Sequence, residues 1–189
     1  MNTKIELKKV SNELVKEYNV KFDKENKEVE NAIFSLIKKF RSNKKIENVY
    51  LKAPVINALY KTNIFDIAGM AWYIHKLDID NSLKKGDINV VEKITKAYPK
   101  KRFYSFATKY CAFHEPKKYS LYDWYVAKIL SEYQKNDNFY KNKFTLEDLR
   151  IYSKFFSVIN AFKSFYKLNK FSYKEIDKFL WQYAKEKFG

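Results

Sequence analysis

Glycine and proline are scarce in this 189-residue chain, at three each, and cysteine occurs once. So few turn formers argue against an all-β sandwich or barrel and for long helices joined by short loops. The lone cysteine, Cys111, excludes an intramolecular disulfide and an all-cysteine iron–sulfur cluster. With two histidines, His75 and His114, a Cys/His zinc site has too few ligands, so neither metal nor cofactor is expected. No apolar run follows the first methionine as a signal peptide would require, and none reaches the roughly 18 residues of a membrane span. The expectation is a cytoplasmic chain with neither a membrane nor a disulfide partner. Acidic residues are also short. Against 38 Lys and Arg there are 22 Asp and Glu, a formal net charge of +16 and a pI near 9.6. A domain this basic ordinarily meets a polyanion, most often nucleic acid. Lysine-rich surfaces also arise from AT-rich coding sequence, or serve a membrane face.

What is abundant is aromatic. Phe and Tyr number 16 each, and 46% of the chain is hydrophobic, enough for a packed core. Helical spacing recurs along it. Residues 1–24 read as a short helix with loose ends through Ile5, Leu7, Val10, Leu14 and Val15. A firmer stripe, Val29, Ile33, Leu36, Ile37 and Phe40, predicts a helix over 27–40. Pro54 suits a first turn, giving a helix over 54–60. Thr62 or Asn63 then caps a helix over 64–77, with Ile67, Met70, Ala71 and Ile74 inward. Gly69 within it costs about 1 kcal/mol against Ala, which tight packing or a ligand's approach would explain. Residues 78–86 read as a polar connector, and Asp87 as the cap of a helix that must end near Tyr98, before Pro99. Thr145 starts a helix whose stripe runs from Ile151 to Phe165. Ser172 and Glu175 form a capping box for the last helix. Without repeats or linkers, the expectation is a single all-α domain over 1–189 with about seven to nine helices, residues 1–26 being loosely ordered.

The stretch 103–130 carries the densest chemistry. An aromatic helix is followed by a Pro-containing break, and Asp123 then opens a second helix. A basic segment, Tyr98-Pro99-Lys100-Lys101-Arg102, leads into it. An acid at a helix start is an ordinary cap. Phe106-Ala107-Thr108-Lys109-Tyr110, His114 and Pro116, and Leu121-Tyr122-Asp123 together resemble the core of helix-hairpin-helix DNA glycosylases. The resemblance is closest to the 8-oxoguanine glycosylase branch and its bacterial relatives. Residues 59–64 are similar to a segment of those relatives, and the likeness covers about 57–130.

That resemblance implies an all-α, two-lobed fold around a cleft, double-stranded DNA as partner, and excision of a damaged or modified base after flipping. Asp123 would stabilise the cationic sugar. A lysine amine, Lys109 or Lys101 with Lys100 as a third choice, would attack the sugar, or water would replace it. Trp72, Tyr73, Phe113 or Trp124 would stack on the flipped base, and His114 would hydrogen-bond it. Lys100, Lys101, Arg102, Lys117 and Lys118 would hold phosphates. The chain departs from the family where the hairpin's Gly-x-Gly should stand, so side chains would replace backbone amides there. The identity of the base, and repair against defence from phage, stay open. So do two other readings: a non-catalytic DNA-binding module, and a partner-binding helical protein whose charge reflects its genome.

Overall fold

A computed structural model describes residues 6–99 and 101–189, and among these the chain is helical with no strand. The α-helices are α1 (Asn12–Lys39), α2 (Ile46–Leu59), α3 (Ile67–Lys76), α4 (Asp80–Lys85), α5 (Asn89–Thr95), α6 (Tyr104–His114), α7 (Trp124–Asp137), α8 (Tyr152–Phe165) and α9 (Tyr173–Phe188). A 3-10 turn covers Asp148–Arg150. No helix among the described residues is long and apolar enough to cross a membrane. The chain gathers into two compact units, one holding residues 25–121 and the other residues 6–24 with 122–189.

The unit of residues 25–121 is built around α6. Ten of its eleven residues are buried, including Lys109 and His114. A helix that is apolar nearly all round must be enclosed. α2 and α5 pack on α6, and α3 packs on α2. The C-terminal half of α1 turns Ile33 and Ile37 inward with Glu30, while Val29 stays 38% exposed. The expected stripe is therefore rotated, and the Tyr60 hydroxyl donates to the Glu30 carboxylate at 2.8 Å, which lets that acid be buried.

α2 begins eight residues before the expected start and holds Pro54 inside. The missing amide costs about 3 kcal/mol in an isolated helix. Complete burial of Val49, Ala53 and Ile56 offsets it. α3 is capped by Asp66, not Thr62 or Asn63, because the Asp66 carboxylate accepts from the Gly69 amide at 2.9 Å. This also explains Gly69: a Cβ there would lie 2.3 Å from Asp66 Oδ2. The expected connector 78–86 contains α4, closed by Gly86 at φ +82°, a left-handed C-cap. The N-cap of α5 is Ile88 and carries no side-chain cap bond, not Asp87 as expected; the Asp87 carboxylate accepts from the Asn89 amide at 3.0 Å from one residue before the cap.

The other unit joins α7, α8 and α9 to the N-terminal half of α1. The helices expected over 1–24 and 27–40 are one helix of 28 residues from Asn12. Tyr18 meets Tyr183 edge-on at 5.1 Å between ring centres and donates to Glu186 at 2.9 Å. Asp123 caps α7 by accepting from the Tyr125 amide at 3.0 Å. Thr145 does not open α8. Its amide and hydroxyl both bond Asp148, making a 3-10 entry that ends before Ile151. The Ser172–Glu175 capping box is formed, and Ile176, Phe179, Leu180 and Tyr183 of α9 are fully buried.

Candidate functional site

Two lysines, Lys52 and Lys109, are buried among the described residues, and both lie in the unit of residues 25–121. Lys109 sits midway along α6 and is 2% exposed. Its ammonium donates to the Ser105 hydroxyl one turn earlier and lies 5.9 Å from the centre of the Tyr60 ring. Burying an amine costs several kcal/mol unless it is well bonded.

Lys52 has a different setting. Its amine donates to the Arg41 carbonyl at 3.0 Å and to Asn43 Oδ1 at 2.7 Å, and it meets His114 Nε2 at 3.0 Å. It thereby ties α2 to the chain leaving α1. Burial draws its pKa down to about 8, opposed by the charge of Asp80. Asp80 in turn accepts from the Ser42 hydroxyl and from both the main-chain and side-chain amides of Asn43. The Tyr110 hydroxyl donates to Asn43 Oδ1 at 2.6 Å. His114 Nδ1 lies 2.7 Å from the Tyr110 carbonyl. That carbonyl can only accept, so the proton sits on Nδ1 and Nε2 accepts from Lys52. Burial first, and the Lys52 charge second, hold the imidazole neutral with a pKa of about 3.

A cavity of about 530 Å³ opens beside this network, lined by Arg41, Ser42, Asp80, Asn81, Leu83, Lys84, His114 and Glu115. Arg41 and Glu115 are ion-paired across it. No periodicity in the sequence marks Asn43, Lys52 or Asp80. Each is a polar residue whose value depends on partners far away in the chain, and Asp80 lay in the expected connector.

The residues expected to flank the base separate by burial. Phe113 is 2% exposed and is met edge-on by Phe34 and Tyr60, each at 5.1 Å. It is therefore a core residue of this unit and offers no free ring face for stacking. His114 lines the cavity with both ring nitrogens engaged. Trp72 is 45% exposed, and its ring meets Tyr73 at 5.0 Å. In the other unit Trp124 is 51% exposed, with the Lys128 amine 4.8 Å from its ring centre.

Lys101, Arg102, Lys117 and Lys118 are exposed. Arg102 is paired with Glu92 at 2.9 Å, and the Lys118 amine bonds the Lys84 carbonyl. Lys100 lies outside the described residues. Asp123 is partly exposed at the head of α7. The single thiol, Cys111, is buried, and burial pushes its pKa up, which makes it a poor nucleophile.

A protein-family model, HI_0787_N, described as an N-terminal domain, matches residues 13–118. An uncharacterised protein of Haemophilus influenzae is 40% identical over 147 residues, which is 76% of this chain and 69% of that protein. No solved structure matches the chain.

Proposed function

The chain belongs to the HI_0787_N family, and for this member we propose a DNA glycosylase that removes a damaged or modified base from double-stranded DNA. The observation that carries the reading is Lys109. Of the two leading lysine candidates, it alone is buried, while Lys101 is exposed. An amine held in a buried site is the kind of group that can act as a nucleophile on the sugar carbon. Lys109 also stands inside Phe106-Ala107-Thr108-Lys109-Tyr110, the segment that carries the resemblance to helix-hairpin-helix glycosylases.

The chemistry follows in two steps. The Lys109 amine attacks C1′ of the flipped nucleotide as the glycosidic C–N bond breaks, and the base leaves with that electron pair and takes up a proton. The remaining N–H proton passes to O4′ as the C1′–O4′ bond breaks and the ring opens, giving a Schiff base; removal of a C2′ proton then expels the 3′ phosphate. The resemblance to the glycosylases assigns Asp123 the carboxylate role, countering the positive charge that develops on the sugar. The excess of cations supplies affinity for phosphates through Lys101, Arg102, Lys117 and Lys118.

The test uses duplexes each carrying one of a broad panel of altered bases, incubated with the protein and borohydride. A covalent protein–DNA adduct on at least one substrate is expected. Lys109→Gln should abolish the adduct, and Asp123→Asn should slow release of the base by about 100-fold or more. Thermal melts of both variants separate loss of chemistry from loss of fold. An absence of base release across the panel, by adduct or by alkali cleavage, overturns the reading. So does an Asp123→Asn variant as active as wild type.

A further inference from the structure

Phe65 is 98% exposed, yet the backbone on either side of it is held in place. Before it, the buried Ile64 is gripped by the side-chain amide of Asn57. Nδ2 donates to the Ile64 carbonyl at 2.9 Å, and Oδ1 accepts from the Ile64 amide at 3.0 Å. After it, Asp66 caps α3 and also accepts from the Tyr98 hydroxyl at 3.0 Å. The fold thus presents this ring to water on a braced loop.

The Tyr98 bond leads into a run of further rings. Trp72 meets Tyr73 at 5.0 Å, Tyr73 meets Tyr98 at 5.7 Å, and Tyr98 meets Phe103 at 5.7 Å, all edge to face. The run joins α3 to the connector between α5 and α6. Lysines border it: the Lys76 amine lies 5.4 Å from the Trp72 ring centre and the Lys101 amine 5.5 Å from that of Phe103. Phe65 and Trp72 are exposed, Tyr73, Tyr98 and Phe103 are half-buried, and the two ammonium groups stand over the Trp72 and Phe103 rings.

Accessible aromatic faces interleaved with cations are what a nucleic-acid strand with unpaired bases requires. Each base stacks on a ring while its phosphate meets an amine. A duplex hides its base faces inside its own stack and gains nothing from Phe65 or Trp72. An apolar protein partner would gain nothing from the lysines. We propose that the surface formed by Phe65, Trp72, Tyr73, Tyr98 and Phe103 is a stacking platform for single-stranded DNA. It rests on the nucleic-acid part of the reading above and narrows its substrate to DNA with unpaired or locally opened bases.

The test measures anisotropy of a fluorescein-labelled oligothymidine, single-stranded and annealed to oligoadenosine, with the full chain at one fixed salt concentration. The single strand should bind at least as tightly as the duplex. Phe65→Ala and Trp72→Ala should each weaken single-strand binding by about 10-fold and duplex binding by much less. Trp72→Phe should retain it, since a ring is kept. Equal losses on both probes, or no loss in either alanine variant, overturn the platform. If the single strand fails to bind while a lesion duplex is still processed, the platform fails and the glycosylase reading stands. If the single strand binds with these losses and no lesion is ever processed, the outcome reverses. Failure of both probes to bind, with no lesion processed, removes both.

Discussion

Lys52 and His114 show how one buried pair can be decided by geometry alone. The lysine donates to the Arg41 and Ser42 carbonyls, to Asn43 Oδ1 and to His114 Nε2, so the imidazole must stay neutral for the network to close. In the unfolded chain the same histidine protonates near its ordinary value of 6.5, whereas in the fold it resists down to about 3. Between those values the unfolded state binds the extra proton, so stability is lost as pH falls and regained as it rises. At pH 5 the loss from this one residue should be about 2 kcal/mol relative to pH 7. Urea unfolding at the two pH values measures it. His114→Gln should lower stability at pH 7 but flatten the slope between pH 6.5 and 5. An unchanged slope would mean that other groups carry the acid sensitivity. Neither residue's partner could be read from the sequence, where His114 stood as a base-binding candidate beside Pro116.

At the scale of the element, the start of α3 is the instructive case. Spacing of apolar residues placed the helix correctly through Met70, Ala71 and Ile74, but the cap lay several residues later than Thr62 and Asn63. Asn63 is instead a left-handed residue at φ 57° in the loop, and Asp66 takes the capping role. Gly69 follows from that choice, since any Cβ would occupy the place of the Asp66 carboxylate. Gly69→Ala should therefore destabilise the protein by about 1–2 kcal/mol in a urea melt, although alanine is the better helix former by about 1 kcal/mol. The Tyr98–Asp66 bond would be lost with the cap. If Gly69→Ala stabilises, the cap contributes little. The Ser172–Glu175 box shows the opposite situation, because both halves of that cap lie within four consecutive residues and were legible without a fold.

The whole molecule is governed by its charge of +16. Binding to duplex DNA should weaken steeply with added salt, because each neutralised phosphate releases a counterion. Individual cations should contribute unequally. Arg102 is already paired with Glu92 at 2.9 Å, while the Lys101 amine has the Phe103 ring beside it. Lys101→Gln is expected to reduce the slope of log affinity against log salt by about 1, and Arg102→Gln by less. Titrations of each variant over a range of salt concentrations compare the two slopes. Equal slopes would show that Glu92 leaves Arg102 when DNA binds.

The sequence by itself determined that the chain is helical, that it is strongly basic, and where helices with local signals begin: Asp123 and Ser172 each cap within three residues of themselves. Scarcity of glycine and proline, helical spacing and capping chemistry are local properties, and they survive without knowledge of partners. Tertiary structure decided which lysines are buried, that Pro54 lies inside a helix, and that Phe113 is core while Phe65 faces water. Those outcomes depend on contacts between residues distant in the chain, and the same aromatic or lysine reads identically in sequence whether its neighbours are side chains or solvent.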